Sequence, residues 1–230
     1  MENKPQNLNQ FVRRIKMRHI NSIILLLTTF LMVNSLISAQ NQQNQMDKNM
    51  DTNNNLETAT FGAGCFWCVE AVFQNLQGVE KVTSGYSGGN VKNPSYREVS
   101  NGSTGHAEAV QIQFDPNIIT YDQLLEVFWK THDPTTLNRE GPDIGPQYRS
   151  AIFYHDEEQK EIAEQSKQAM DQSGYFSDPI VTEIEPYKNF YVAEDYHQDF
   201  YEKNRNQPYC RFRIDPKMDK MQKEFGKYLK

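Results

Sequence analysis

The chain has 230 residues, 37% hydrophobic and 12% aromatic, with 24 Lys and Arg against 30 Asp and Glu for a net charge of −6. That length and apolar content support one well-buried domain or two small ones and exclude a chain disordered throughout. The first 39 residues hold five basic residues and one acidic one, so the remaining 191 carry 19 basic against 29 acidic; a net of −10 repels polyanions, and no nucleic-acid partner is expected.

Arg13, Arg14, Lys16 and Arg18 precede the apolar run Ile20 to Ile37, which ends Ile37-Ser38-Ala39. Basic, apolar, then small is the order of an export signal, so residues 1–39 are expected to be a signal peptide and the protein exported. Retention of this stretch as a membrane anchor is the alternative, since about 18 residues can just span a bilayer. Residues 40–56 are rich in Asn, Gln, Met and Asp without apolar periodicity and read as a flexible tether. One folded domain is expected over residues 57–230.

That domain opens with a short strand at Thr58 to Phe61 and a turn at Gly62 and Gly64. Val69, Val72, Phe73 and Leu76 then recur at the spacing of one helical face, with Gly78 placed to end the helix. Cys65 falls in the first turn, where free N–H groups and the helix dipole favour an anion, so a thiolate is expected there. Strands follow at Val79 to Tyr86 and His106 to Phe114, separated by a polar loop through Pro94 and Gly105. Thr120 to Gln123 has the side chains of a capping box before a helix with Tyr121, Leu124, Leu125 and Phe128 on its apolar face. A long turn-rich loop leads to a strand near Tyr148 to Tyr154, then a helix from Asp156 to Ser173, a strand at Ile180 to Ile184, a short helix at Tyr196 to Lys203 and a last one near Met218 to Tyr228. The first six elements run βαββαβ, which predicts an α+β fold: a ferredoxin-like split βαβ sheet with helices on one face, followed by extra C-terminal elements and loops.

The chemistry concentrates in Gly64-Cys65-Phe66-Trp67-Cys68-Val69. Three cysteines, two of them in Cys-x-x-Cys spacing and Cys210 far away, point to thiols that react and away from a disulfide scaffold. Phe66 and Trp67 between them suit a small apolar group such as a methyl thioether, which is favourable against aromatic faces, unless both rings simply pack the helix start. Strand alternation puts Glu108 on the face of Val110, Ile112 and Phe114, aimed coreward. Burial there favours a protonated carboxyl able to act as an acid; the alternative is a buried ion pair. Tyr96 and Tyr148 lie in loops where a phenol can reach into a site. His106, His132, His155 and His197 make no metal-ligand spacing, and a zinc site from the three cysteines would have only one close pair, so no metal is expected.

Gly64-Cys65-Phe66-Trp67 with Glu70, Gly85-Tyr86-Ser87-Gly88-Gly89, Asn93-Pro94-Ser95-Tyr96, Gly105 to Val110, Gln147-Tyr148-Arg149-Ser150 and Ala193-Glu194-Asp195-Tyr196-His197-Gln198, six motifs in order over about residues 58–214, resemble methionine sulfoxide reductase A. The resemblance implies reduction of the S epimer of methionine sulfoxide, free or in oxidised proteins, with no bound cofactor and an external thioredoxin-like dithiol as reductant, by a monomer. It makes Cys65 the nucleophile, Phe66 and Trp67 the methyl pocket, Glu108, Tyr96 and Tyr148 the groups at the sulfoxide oxygen, and Asp143 a supporting polar residue. Cys68 stands where many members have Gly, and Arg211-Phe212-Arg213 follows Cys210 in place of a glycine-rich tail. Both are candidates to resolve a sulfenic acid at Cys65; the shorter loop favours Cys68. A thiol-disulfide oxidoreductase and a non-catalytic exported binding domain are the rival readings.

Overall fold

The computed structural model describes residues 56–230, so the expected leader and all but the last residue of the expected tether lie outside it. β1 (Glu57–Ala63) leads through Gly64 and Cys65 into α1 (Phe66–Gln74), and β2 (Val79–Ser87) follows. A short helix α2 (Tyr96–Ser100) interrupts the loop before β3 (Ala107–Phe114). α3 (Tyr121–Thr131) is followed by a small hairpin, β4 (Arg139–Glu140) and β5 (Asp143–Ile144), and by β6 (Ser150–Tyr154). Then come α4 (Glu157–Gln172), β7 (Glu183–Pro186), β8 (Phe190–Val192), α5 (Phe200–Asn204), a π-helical turn at Cys210–Ile214 and α6 (Asp215–Phe225).

The main sheet has the order β7-β6-β1-β3-β2-β8. Its centre is a split βαβ unit: β3 lies between β1 and β2 and is antiparallel to both, and β6 closes antiparallel on β1. The predicted ferredoxin-like α+β core is therefore the observed one. The later strands extend it, β7 parallel to β6 on one edge and β8 antiparallel to β2 on the other.

Alternation sorts the two faces. Phe61, Val110, Ile112 and Phe114 point to the face covered by α1 and α3, where Phe61 meets Phe73 at 5.6 Å and Phe128 at 5.1 Å between ring centres. Ala107, Ala109, Ala151 and Phe153 point the other way, onto a smaller cluster with Tyr187 and Phe190. Glu108 lies on the first of these faces and is 1% exposed.

Local sequence explains the helix starts. Thr120 and Gln123 form the expected capping box on α3, and Ser95 with Glu98 forms one on α2 that the polar composition of the loop concealed. The boundaries differ most at the C-terminal end: the expected strand at Ile180 to Ile184 is Glu183–Pro186, and the expected helix at Tyr196 to Lys203 is a 3-10 turn, Asp195–His197, plus α5. The last helix, expected near Met218 to Tyr228, starts earlier, at Asp215, and is preceded directly by the turn at Cys210–Ile214 where an irregular segment was expected.

Candidate active site

Strand β1 ends at the chemistry. Gly64 has φ +84°, a left-handed backbone that favours glycine, and a Cβ there would lie 2.5 Å from the Cβ of Glu140. The turn places Cys65 at the N-cap of α1, one residue before the first helical turn, with no side-chain cap. Phe66 therefore has a free backbone N–H, and it donates to Glu108 Oε2 at 3.1 Å. Cys65 and Glu108, 43 positions apart, are joined through this one hydrogen bond.

That bond also changes the expectation for Cys65. Its thiol is 7% exposed, and its pKa is pushed well up by burial, by the Cys68 thiol and by the nearby Glu108. The helix terminus was expected to yield a resting thiolate, but its first N–H is given to the Glu108 carboxyl group and low-dielectric surroundings disfavour a bare anion. The resting Cys65 is a thiol. Glu108 is raised to about 8 by burial, with Asp143 and Cys68 adding and the Phe66 N–H opposing, so it is protonated at neutral pH. With Oε2 accepting from Phe66, the acid proton belongs on Oε1.

Cys68, on the first turn of α1, is 4% exposed, and its thiol is drawn down by its hydrogen bond with Cys65 and by the charges of Lys217 and Arg213, against the cost of burial. The Tyr209 hydroxyl lies 3.8 Å from Cys68 Sγ and donates to Asp143 Oδ2 at 3.0 Å. Asp143 thus reaches the site through Tyr209, a residue the sequence reading passed over although it adjoins Cys210. Cys210 itself is fully buried at the start of the π-helical turn, a distortion common at functional positions, and burial raises its pKa. All three cysteines are free.

Phe66 and Trp67 belong to one aromatic cluster. Trp67 stacks on Phe200 at 3.6 Å with planes 7° apart, meets the Tyr209 ring edge-on at 5.5 Å and donates its indole N–H to His197 Nδ1 at 3.0 Å. Phe66 is 1% exposed, 5.0 Å from the His197 ring and 6.4 Å from that of Tyr96. Tyr96 opens α2 and Tyr148 ends a 3-10 turn, Pro146–Tyr148, so both sit on short helical turns rather than in open loops. Each is half-buried, and each phenol is held protonated chiefly by burial, with Glu108 the next contribution; Tyr96 is raised to about 12.

Further side chains organise the surroundings of the site. Strand register pairs Tyr86 with Glu108, and the Tyr86 hydroxyl donates to Glu194 Oε2 at 2.9 Å while Tyr96 N–H donates to Glu194 Oε1 at 2.9 Å. Glu70, raised to about 7 by burial, accepts from Phe200 N–H at 3.2 Å and anchors the ring stacked on Trp67. On the other flank Glu140 and Lys217 form an ion pair of 2.7 Å. Glu70, Glu194 and His197 were visible inside the motifs but had no periodicity to mark a role; Lys217 carried no signal. Among the described residues no group of three His, Cys, Asp or Glu is placed to hold a metal ion.

The family model described as peptide methionine sulfoxide reductase matches residues 57–229. The chain belongs to the peptide methionine sulfoxide reductase family. It is 58% identical over 165 residues to the peptide methionine sulfoxide reductase MsrA of Leptospira borgpetersenii, covering 72% of this chain and 93% of that one. It is 53% identical over 169 residues to the MsrA of Natronomonas pharaonis, covering 74% and 95%. Among solved structures, reduced Mxr1 from Saccharomyces cerevisiae matches with a TM-score of 0.63 at 34% identity over 68% of this chain and 90% of that one. Methionine sulfoxide reductase A of Corynebacterium diphtheriae matches at 0.60 and 36%, over 67% and 77%. The protein is thus an oxidoreductase that acts on the sulfur of methionine sulfoxide, as its motifs indicated.

Proposed function

We propose that this reductase acts on the S epimer of methionine sulfoxide, free or in oxidised proteins, with Cys65 as nucleophile and Glu108 as acid. The observation that carries the reading is the protonated, buried Glu108 tied to the N–H of the residue that follows Cys65. Phe66 and Trp67 wall the substrate methyl, and the Tyr96 and Tyr148 phenols, both protonated, donate to the sulfoxide oxygen alongside Glu108. A site with a fixed methyl wall and a fixed oxygen cradle accepts one hand of the sulfur centre.

The Cys65 sulfur attacks the sulfoxide, Glu108 protonates its oxygen and the carboxyl is restored by the proton that Cys65 gives up. The substrate sulfur gains two electrons and leaves as methionine; Cys65 loses two and becomes a sulfenic acid. Cys68 then attacks Cys65 Sγ, a disulfide forms and the oxygen departs as water. An external thioredoxin-like dithiol reduces the disulfide without any bound cofactor. Three residues of separation and the pull of Lys217 and Arg213 on its thiol favour Cys68 over Cys210 as the resolving group. The protein works as an exported monomer.

Single turnover with each epimer, without added reductant, tests this. The S epimer is expected to yield one methionine per chain and a Cys65–Cys68 bond on peptide mapping, and the R epimer none. Equal turnover of both epimers rejects the stereochemical assignment. A first bond between Cys65 and Cys210, with Cys68→Ser still turning over, transfers the resolving role to Cys210. A mass of the mature protein that still includes residues 1–39 would rule out cleavage of the leader.

A further inference from the structure

We propose that His197 is a positioning residue for the reaction, holding Trp67 as a wall of the methyl pocket by accepting its indole N–H at Nδ1. The proposal rests on the reading of Trp67 as that wall. Trp67 is half-buried, and the stack on Phe200 fixes the plane of its ring but has no preferred direction within that plane. The edge contact with Tyr209 is equally non-directional. The 3.0 Å bond to His197 supplies the missing constraint.

The protonation of the imidazole follows from its partner. An indole N–H only donates, so Nδ1 must carry a lone pair and the proton of neutral His197 lies on Nε2. That Nε2 is buried without a hydrogen-bond partner among the described residues. A buried donor without a partner is unfavourable, and the other tautomer would free it only by turning Nδ1–H against the indole N–H. The corner thus keeps an orphaned donor and retains the acceptor for Trp67.

The imidazole is itself firmly placed. Its ring lies 4.4 Å from that of Tyr96, 4.2 Å from Tyr196 and 5.0 Å from Phe66, so it fills the space between the Phe66 and Trp67 walls. Its 3-10 turn follows Glu194, which is tied to the Tyr86 hydroxyl and the Tyr96 N–H. The titratable groups that face it are Glu194 just before its turn, Tyr196 beside it and Tyr96 from α2; Glu70 from α1 acts on the same segment at Phe200. Burial pushes the His197 pKa down and Glu194 opposes the shift, so the ring is neutral at pH 7. Protonation at lower pH makes Nδ1 a donor and breaks the lock.

Steady-state kinetics and acrylamide quenching of tryptophan emission on His197→Ala and His197→Asn test the proposal. The chain has two tryptophans and Trp129 is fully buried, so quenching reads Trp67. Loss of one hydrogen bond is expected to raise the KM for methionine sulfoxide about tenfold in His197→Ala with kcat far less affected. Quenching should rise with it, and the amide oxygen of His197→Asn should restore both. In the wild type KM and quenching should climb as the pH falls below the ordinary imidazole value of about 6.5, while His197→Asn stays flat. If His197→Ala does not fold, the acid limb of wild type against His197→Asn decides. Wild-type KM and quenching in His197→Ala, no rescue by Asn over Ala, or the same acid limb in wild type and His197→Asn overturns the proposal. The quenching needs no turnover, so a failure of the methyl-wall reading would appear in KM alone and a failure of the lock in both.

Discussion

Two buried carboxylates lie within two bonded residues of Cys65 and end in opposite charge states. Glu108, 1% exposed, has a single backbone N–H for company and is raised to about 8. Glu140, 7% exposed, packs against Gly64, and burial works to raise it as well. Lys217 at 2.7 Å and the Asp133 N–H at 2.9 Å outweigh that, and Glu140 ends below the usual carboxylate range. Burial alone does not decide the charge of a carboxyl; a cation within reach does. One flank of Cys65 thus supplies a proton and the other supplies fixed charge.

The largest test of the contrast is Glu108→Gln. It removes the acid while keeping an oxygen for the Phe66 N–H, and the rate of sulfenic acid formation should fall about 10²–10⁴-fold, as general acids are worth. The gap between wild type and variant should narrow as the pH rises through about 8, where Glu108 loses its proton. Stability should move the other way. A carboxyl whose folded pKa exceeds its unfolded one makes the native state bind the extra proton, so wild-type stability declines from about pH 4.5 to about pH 8. Denaturant titration should find the Gln variant more stable at pH 8 by roughly 2–4 kcal/mol and indistinguishable near pH 4. An active variant, or one whose relative stability does not change with pH, places Glu108 outside the acid role.

Lys217→Met turns the second carboxylate into a copy of the first. An unpaired buried charge costs about 3–5 kcal/mol, so the variant should lose that much stability at neutral and higher pH and recover it as the pH falls towards the ordinary carboxylate value, the unpaired Glu140 taking its proton above that value. In the wild type the sign is opposite: the depressed pKa of Glu140 stabilises the fold at neutral pH, and this is lost as acid titrates the group. A smaller loss is expected for Gly64→Ala. A left-handed alanine costs about 1–2 kcal/mol, and its Cβ would press on Glu140, so the Cys65 turn and the ion pair should suffer together. A Gly64→Ala variant with wild-type melting temperature would show that the turn can relax.

The sequence was most legible where one period governs a long segment. The strand Ala107–Phe114 declared both its faces, and with them the burial of Glu108; the split βαβ order followed from six such segments. The charge of Cys65 was not legible, because the N–H expected to serve its sulfur is taken by a carboxylate 42 residues beyond Phe66. Nor were Tyr209, His197 and Lys217, whose partners Asp143, Trp67 and Glu140 lie 66, 130 and 77 residues away. The fold is written in local repeats, while the site is assembled from single side chains that only the closed sheet and the C-terminal helix bring together.

The smallest expected effect separates the two halves of the catalytic cycle. The Tyr209 hydroxyl gives its one proton to Asp143, so towards Cys68 it can only accept, and it orients the S–H of the resolving thiol. In Tyr209→Phe, Asp143 is exposed enough to find water in exchange, so the fold should lose little. Cys68 loses its contact with the phenol oxygen, and a weak sulfur hydrogen bond of about 1 kcal/mol corresponds to roughly a fivefold slowing of disulfide formation. Sulfenic acid formation at Cys65, upstream of that step, should be unchanged, so a sulfenic-acid trapping reagent added during single turnover should capture several times more adduct than in the wild type. Equal slowing of both steps would mean that the phenol serves the substrate, and no change in either would leave the contact with Cys68 without kinetic weight.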